Sequence, residues 1–355
     1  MTENTNILWD WGTGYDLFVS LFLLHEPEFL GLRPSWAAGV RSRLPAAERE
    51  TLEQAQWVVR FPLGWVYDLP ASKDGAGVLA ALGKMAPGER IPLLAAASQA
   101  PQDALRLLAD VAMRGRWSPD DQDQLWAMYK TQNWHPPKKA LASILDMWVD
   151  LEAFGQRYLS ALQAYQHVFF REEEQRIAAT LAARNVEVQQ QAAGLDLNAL
   201  IERVSRGIRF EDGLDVADLV MVPSYWITPL VVFRREGELR GVFLYGARPD
   251  ADSLVPGAQV PDAMLRTLKT LADPTRLRIL RFLSQEQMSP AELSRRLRLR
   301  APTVTHHLNA LRLAGLVYLS VDDNRRKFYA TRSEALADTF AALEVFLGEN
   351  EGTKK

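Results

Sequence analysis

Apolar residues recur every three or four positions over most of the first 195 residues, which is the spacing of one face of an α-helix. The clearest run follows Pro136 and Pro137, where proline can open a helix without interrupting one. It comprises Leu141, Ile144, Leu145, Trp148, Leu151, Phe154, Tyr158, Leu162 and Tyr165. The pattern predicts a helical N-terminal domain over residues 1–195.

The hydrophobic pattern changes after residue 195. A short helix is predicted over Leu197 to Val204, and three segments rich in Val, Leu, Phe and Tyr follow it, at residues 218–222, 227–234 and 239–247. Glu236 and Gly237 separate the last two segments as a hairpin turn would. We expect residues 196–248 to form a small α+β extension with antiparallel strands, and the aperiodic residues 249–261 to form a linker.

Residues 262–350 contain the start signals of two short helices. Asp273 followed by Pro274 is typical of an N-cap with proline in the first turn. Ser289 and Glu292 have the spacing of a capping box. The first helix is expected to bury Leu277, Leu280 and Leu283, and the second to bury Leu293 and Leu297.

A third helix is predicted to start at Pro302, after a turn formed by Arg298 to Arg300. Two helices joined by such a turn form a helix-turn-helix, whose second helix enters the major groove of DNA. At 100° per residue, Val304, Leu308 and Leu311 fall on one stripe that faces the core. The other side presents hydroxyl, imidazole and amide groups that suit hydrogen bonds to base edges. The predicted base-reading residues are Thr303, Thr305, His306 and Asn309. His307 projects nearer the core and is interpreted as structural.

A basic hairpin is predicted directly after this helix, which Gly315 ends. Residues 316–321 and 327–331 have the character of strands, and residues 322–324 form the tip between them. Such a hairpin beside a recognition helix is a wing, which holds phosphate or the minor groove. The residues predicted to contact the DNA backbone are Arg300, Arg312, Asn324, Arg325, Arg326 and Lys327.

The distribution of charge supports this interpretation. The chain has 355 residues and a net charge of -3. From Arg266 to Arg332 there are 14 basic and five acidic residues, a net charge of +9, whereas the rest of the chain carries 27 basic and 39 acidic residues, a net charge of -12. A basic module on an acidic protein is typical of nucleic-acid binding.

The stretch ADPTRLRIL, the helix-turn-helix, the stretch TVTHHLNALRLAGLV and the short wing together resemble the winged helix of ArsR-type bacterial regulators. The resemblance covers roughly 90 residues of the C-terminal part. It implies a homodimer that binds an inverted repeat in double-stranded DNA, usually as a repressor that an inducer releases. It also implies dimer contacts from the flanking helices, where two apolar stripes occur: Met264, Leu265, Leu268 and Leu271, and Leu336, Phe340, Leu343 and Leu347. Each stripe could instead belong to the core of one chain.

The sequence departs from the metal-sensing members of that family. They place cysteines in or near the helix-turn-helix, and this chain has none. The remaining candidate ligands, His25, His135 and His167, lack the spacing of a metal site. We therefore expect neither a metal nor a cofactor, and a small molecule is the expected effector.

The N-terminal part holds all ten tryptophans, between Trp9 and Trp226. Trp and Tyr can line an apolar pocket with polar groups at its edge. The alternative is ordinary core packing. An effector pocket is placed at Tyr225 and Trp226, where the predicted sheet meets the helices.

The fold class that these patterns predict is mainly α with small β elements: a helical N-terminal domain with a small antiparallel sheet, and a C-terminal winged helix-turn-helix. No phosphate-binding loop, dinucleotide fingerprint, nucleophile elbow or zinc-protease spacing occurs, so no enzymatic activity is expected. The chain also lacks an apolar stretch of the ~20 residues that cross a bilayer, and a cytoplasmic protein is expected. Two alternatives stay open: a winged helix used for protein contact, and an enzyme-like N-terminal domain with an appended DNA-binding module.

Overall fold

The structure, a computed structural model, describes residues 5–30, 32, 34–130, 135–211, 213–237, 239–250, 252, 261–322 and 324–348. The described residues up to 204 contain strand β1 (Asn6–Trp9) and twelve α-helices: α1 (Thr13–His25), α2 (Pro34–Arg41), α3 (Ala46–Ala55), α4 (Leu63–Asp68), α5 (Gly75–Lys84), α6 (Pro87–Ala97), α7 (Gln102–Arg114), α8 (Pro119–Tyr129), α9 (Leu141–Val149), α10 (Leu151–Tyr165), α11 (Arg171–Ala192) and α12 (Leu197–Val204). These bounds confirm a mainly helical N-terminal part among the described residues.

After residue 204, the described residues contain four further strands, the two strands of the wing and five further α-helices. They are β2 (Ile208–Phe210), β3 (Asp218–Ser224), β4 (Val232–Glu236), β5 (Arg240–Gly246), α13 (Asp262–Leu271), α14 (Pro274–Leu283), α15 (Pro290–Leu297), α16 (Ala301–Leu313), β6 (Val317–Val321), β7 (Lys327–Thr331) and α17 (Ser333–Gly348). None of the helices in the described residues is both long enough and apolar enough to cross a membrane.

Helix α1 forms the centre of the N-terminal core. Every residue from Thr13 to Leu24 is buried, which is expected of a helix that is apolar on nearly all sides. Helices α2, α5 and α11 pack against it, and α10 packs across α3 and α6. The periodic residues from Leu141 onward lie in two helices, because Asp150 ends α9 and caps α10 by accepting a hydrogen bond from the backbone N–H of Ala153 at 3.0 Å.

The sheet of the N-terminal part is mixed, in the order β1-β3-β5-β4. Strands β1, β3 and β5 run parallel, and only β4 and β5 pair antiparallel, so the expected antiparallel sheet requires correction. Strand β5 is apolar on both faces and takes the centre beside β3, whereas β4 carries Arg234, Arg235 and Glu236 and takes the edge. A strand covered on both faces must be apolar throughout, and this requirement sets the order of the strands.

Two strands were not expected from the sequence. Strand β1 adds the start of the chain to this sheet, in register with residues 218–221. Strand β2 pairs in parallel with β6 of the wing, with Ile208 opposite Leu319. Both strands are too short, at four and three residues, for an alternating pattern to show. The division into residues 1–195, 196–248, 249–261 and 262–350 stays a prediction, and most of the proposed linker lies outside the described residues.

The C-terminal part has its own hydrophobic core, built from α14, α15, α16 and the two wing strands. The expected helix and strand bounds are confirmed here to within a residue or two. One core position is wrong: Leu277 is 49% exposed, and α14 buries Ile279 together with Leu280 and Leu283. Ile279 lies two residues further along the helix, so the buried stripe is rotated from the expected one.

Candidate nucleic-acid interface

Local hydrogen bonds fix the starts of α14 and α15, the two helices that precede α16. The Asp273 carboxylate accepts from the backbone N–H of Arg276 at 2.9 Å and caps α14. Ser289 and Glu292 form the expected capping box at the start of α15, since each side chain accepts from the backbone N–H of the other residue. Arg298 ends α15 in the left-handed region, with φ of 56°. This residue reverses the chain so that α16 can follow at an angle.

Helix α16 buries one stripe and exposes the other, as its periodicity predicts. Val304, Leu308 and Leu311 are fully buried. The four residues predicted to read bases, together with Arg300 at the N-cap, are all exposed on the opposite side: Thr303, Thr305, His306 and Asn309. The side chains therefore share one accessible face of a single helix, which is the requirement for entry into a major groove.

His307 faces the other way, toward the start of α14. Its Nδ1 lies 4.0 Å from the Asp273 carboxylate, and its side chain is mostly buried. Burial lowers the pKa of His307, and the Asp273 carboxylate partly opposes that effect. The imidazole thus packs α16 against the N-cap of α14 rather than pointing to solvent.

The wing presents its cations to solvent. Asn324, Arg325, Arg326 and Lys327 are all exposed. The Asp322 carboxylate accepts hydrogen bonds from the backbone N–H and from Nε of Arg326, both at 2.7 Å. These two bonds stabilise the conformation of the hairpin tip. The Arg326 side chain is 67% exposed, whereas that of Asp322 is only 13% exposed, so the guanidinium remains accessible to solvent while it pairs with the carboxylate.

Arg312 is less exposed than the other residues predicted to contact the DNA backbone. It is half-buried at the last turn of α16, and it lines a cavity between the winged helix and the N-terminal part. Burial lowers its pKa. In contrast, α15, the first helix of the helix-turn-helix, exposes Arg295 and Arg296. These two residues belong to the basic segment that the charge count identified, but the helical pattern gave no reason to select them.

The side chains predicted to form an effector pocket are buried. Trp226 has no exposed surface and packs between Trp36 and Phe169, at ring-centroid distances of 5.4 and 5.8 Å. Tyr225 is anchored through its hydroxyl, which accepts from Nη1 of Arg176 at 2.7 Å and donates to Asp252 at 3.1 Å. The cavity just mentioned begins two residues further on, at Thr228. Effector contact at Tyr225 and Trp226 stays a prediction.

A buried carboxylate, for which the sequence gave no signal, holds this turn in place. Asp16 of α1 accepts from the Ser224 hydroxyl and from the backbone N–H groups of Tyr225 and Trp226, the latter two at 3.0 Å. Burial raises its pKa to about 6, although the three hydrogen bonds act in the opposite direction. Asp16 therefore fixes the end of β3 against the central helix.

We expect the Asp16→Asn variant to change how stability depends on pH. The folded carboxyl keeps its proton up to about pH 6, whereas an unfolded one loses it near pH ~4. Protonation of Asp16 therefore contributes about 1 kcal/mol to the stability of the wild type as pH falls from 7 to 5, and the variant lacks this contribution. Urea unfolding at both pH values measures the difference. Parallel profiles for the two proteins would show that Asp16 is ionised throughout.

Among the described residues, no group of three or more His, Asp or Glu side chains lies close enough together to hold a metal ion. Burial, followed by the nearby Arg41, lowers the pKa of His25 to about 4. His167 contacts Arg171 through its Nδ1 at 2.8 Å. His135 lies beside the ring of Trp126. The three histidines thus contact different residues.

Comparison with known proteins concerns the C-terminal part. A family model described as a helix-turn-helix domain matches residues 271–318. An ArsR-like transcriptional regulator from Rhodococcus sp. RHA1 is 30% identical, over 25% of this chain and 83% of that one, with a TM-score of 0.23. A protein from Mycobacterium bovis titled "possible transcriptional regulatory protein (fragment 1-100)" is 28% identical, over 26% of this chain and 97% of that one, with a TM-score of 0.22.

A search of curated proteins gave no match. The matches described above leave the N-terminal part unassigned. Residues 271–318 therefore form a helix-turn-helix domain, within the part of the chain that resembles the ArsR-type regulators.

Proposed function

We propose that this DNA-binding transcriptional regulator is a homodimeric repressor whose N-terminal part responds to a small-molecule effector. The observation that supports it most directly is the pairing of an exposed polar face on α16 with an exposed basic wing. Hydroxyl, imidazole and amide groups can read base edges, while the arginines of the wing bind phosphate. In a dimer, the two α16 helices would lie ~34 Å apart in successive major grooves of an inverted repeat.

The outer face of α17 supports a homodimer. Phe340 and Leu347 are 52% and 65% exposed, and they lie on the same helical stripe as the half-buried Leu336 and Leu343. Large apolar side chains on one exposed stripe are typical of a contact surface. The other candidate stripe lies on α13, a helix that contacts α14, α16 and α17 of the same chain, and none of its four residues is fully exposed. We therefore assign the dimer contact to α17 and to a second copy of this chain.

The effector and the direction of regulation form the remaining part of the proposal. The described helices, the mixed sheet and their buried aromatic side chains build a large folded unit beside the winged helix, which is more than DNA binding requires. Because the chain has no cysteine, thiolate metal sensing is excluded, and a small organic or inorganic molecule is the proposed effector. We further propose that the protein catalyses no reaction and acts in the cytoplasm, where the DNA is.

Two sets of substitutions are expected to separate base-specific contacts of α16 from phosphate contacts of the wing. Replacing Thr305 and Asn309 with alanine should lower affinity for the preferred site by about 10-fold to 100-fold per lost base contact, with little change on random DNA. Fluorescence anisotropy with DNA selected from fragments of the source genome measures both affinities. If the loss is equal on every sequence, α16 does not read bases in this orientation.

Replacing Arg325 with alanine should instead weaken binding to all sequences. Each lost phosphate contact reduces the slope of log affinity against log salt by about 1. Arg106→Ala is the matched control, because Arg106 is an exposed arginine on α7 that pairs with Asp103 at 3.0 Å, far from the wing in sequence. An unchanged slope in R325A would place the wing off the DNA. If wild-type protein bound no DNA even at low salt, a winged helix used for protein contact would be the better interpretation.

A further inference from the structure

A cavity of about 600 Å³ lies between the N-terminal part and the winged helix. Its wall combines the segment after β5, the Thr228–Pro229 turn, α13, α17 and the last turn of α16. This volume is within the range of pockets that bind small metabolites. The cavity is therefore bounded by the proposed sensing, dimer and recognition elements.

Positive charge dominates the wall of this cavity. Five arginines line it, at positions 206, 248, 266, 312 and 332, against three aspartates, at positions 250, 252 and 338. Two of these arginines have carboxylate partners: Arg206 pairs with Asp250 at 2.7 Å, and Arg332 pairs with Glu334 at 3.1 Å. Among the residues that line the cavity, arginines exceed aspartates by two. The Asp262 carboxylate lies near Arg248 and Arg266 and partly offsets their charge.

Arg248 is the most informative of these side chains. It is only 6% exposed, and its Nη2 donates to the carbonyl of Thr228 at 3.1 Å. Its Nη1 is buried and meets no acceptor in the described part of the chain. An unpaired buried guanidinium is costly unless an anion approaches it.

Neighbouring cations increase the free-energy cost of burying the charged Arg248 side chain. Burial, followed by the guanidinium of Arg266, lowers the pKa of Arg248 to about 10. Burial lowers the pKa of Arg266 and of Arg312 as well. Several desolvated cations around one cavity favour a ligand that carries negative charge, because it would satisfy the free donors and offset the repulsion between them.

We propose that this cavity binds a small anion bearing a carboxylate or phosphate group, with Arg248 as the central contact and Arg266 and Arg312 beside it. As the site of the effector, it rests on the proposed function. The anion would contact Arg312 at the last turn of α16 and Arg248 of the N-terminal part together. Its differential affinity for two arrangements of these elements would change operator affinity.

Binding is tested without DNA, on the full chain, by thermal unfolding and calorimetry. The probes are inorganic phosphate and succinate, each compared with chloride at equal ionic strength. At least one probe should raise the unfolding midpoint of the wild type with a millimolar or lower Kd, and the two arms tell phosphate recognition from carboxylate recognition. If neither probe stabilises the wild type more than chloride does, the proposal is overturned.

The Arg248→Gln variant should weaken that binding by about 10-fold to 100-fold, the loss expected for one charge-assisted contact. Arg266→Gln provides a second test if R248Q does not fold, and Arg106→Gln is the control that should keep wild-type affinity. Equal binding by R248Q or R266Q and the wild type would place the anion elsewhere.

A separate measurement of operator affinity, with and without the bound probe at constant ionic strength, tests the coupling. A change of several-fold that is absent in R248Q supports the anion as effector, whereas an unchanged affinity overturns the effector role and leaves the binding site standing. Failure of the wild type to bind DNA at all would instead overturn the proposed function, whatever the anion result.

Discussion

Replacing Phe340 and Leu347 with glutamate is expected to convert the proposed dimer to a monomer and to lower operator affinity by about 10³-fold. Both side chains are more than half exposed on one stripe of α17, so the substitutions place charge in the proposed contact without disturbing the core of one chain. The affinity falls because two linked half-sites bind about 10²-fold to 10⁴-fold more tightly than either does alone. Analytical ultracentrifugation and anisotropy on the selected site measure the two effects.

Ala341→Glu is the matched control for this double variant. Ala341 is exposed on the same helix but lies well over 90° from the apolar stripe, at 100° per residue. It should remain dimeric and bind normally. A dimeric F340E/L347E protein would exclude α17 as the contact, and a monomeric wild type would exclude the homodimer.

The Trp226→Ala variant is expected to lose about 3–5 kcal/mol of unfolding free energy, the usual cost of removing a large aromatic side chain from a packed core. Trp226 has no exposed surface, and its indole N–H has no partner among the described residues. The loss therefore reflects packing against Trp36 and Phe169 rather than a broken hydrogen bond. Chemical denaturation followed by tryptophan fluorescence measures it.

Trp11→Ala controls for the loss of a fluorophore, since Trp11 is 44% exposed and its removal should change the unfolding free energy far less. A loss below 1 kcal/mol in W226A would show that the site around Trp226 is not closely packed. The effector prediction at this turn is better tested with Tyr225→Phe. That variant keeps the ring and removes only the hydroxyl that contacts Arg176 and Asp252.

The sequence predicts the C-terminal part well because its signals are local. A cap such as Asp273, or the pair Ser289 and Glu292, acts within three residues and needs no knowledge of the rest of the fold. The exposed face of α16 likewise follows from helical rotation alone. Leu277 was assigned wrongly because an apolar residue on a helix can face either the core or a further contact surface, and spacing does not distinguish them.

Features that depend on distant segments could not be predicted. The order of the sheet places β3 beside β5 although β4 lies between them in sequence, and only the polarity of β4 hinted at its edge position. Asp16 meets Ser224 across 208 positions, and the cavity draws its arginines from five separate elements or turns. Such groupings result from tertiary packing, and no short window of residues contains them.

The pairing of β2 with β6 determines which fragments of this protein can stand alone. Strand β6 lies in the middle of its sheet, between β2 and β7. Gly207, directly before β2, has φ of 109°, and an added Cβ there would lie 2.7 Å from the ring of Tyr318. A recombinant piece starting at residue 262 would leave the backbone N–H and C=O groups along one side of β6 uncovered, an open margin that invites aggregation. The β2–β6 pairing therefore joins the chain upstream of residue 262 to the wing by backbone hydrogen bonds as well as by the covalent chain.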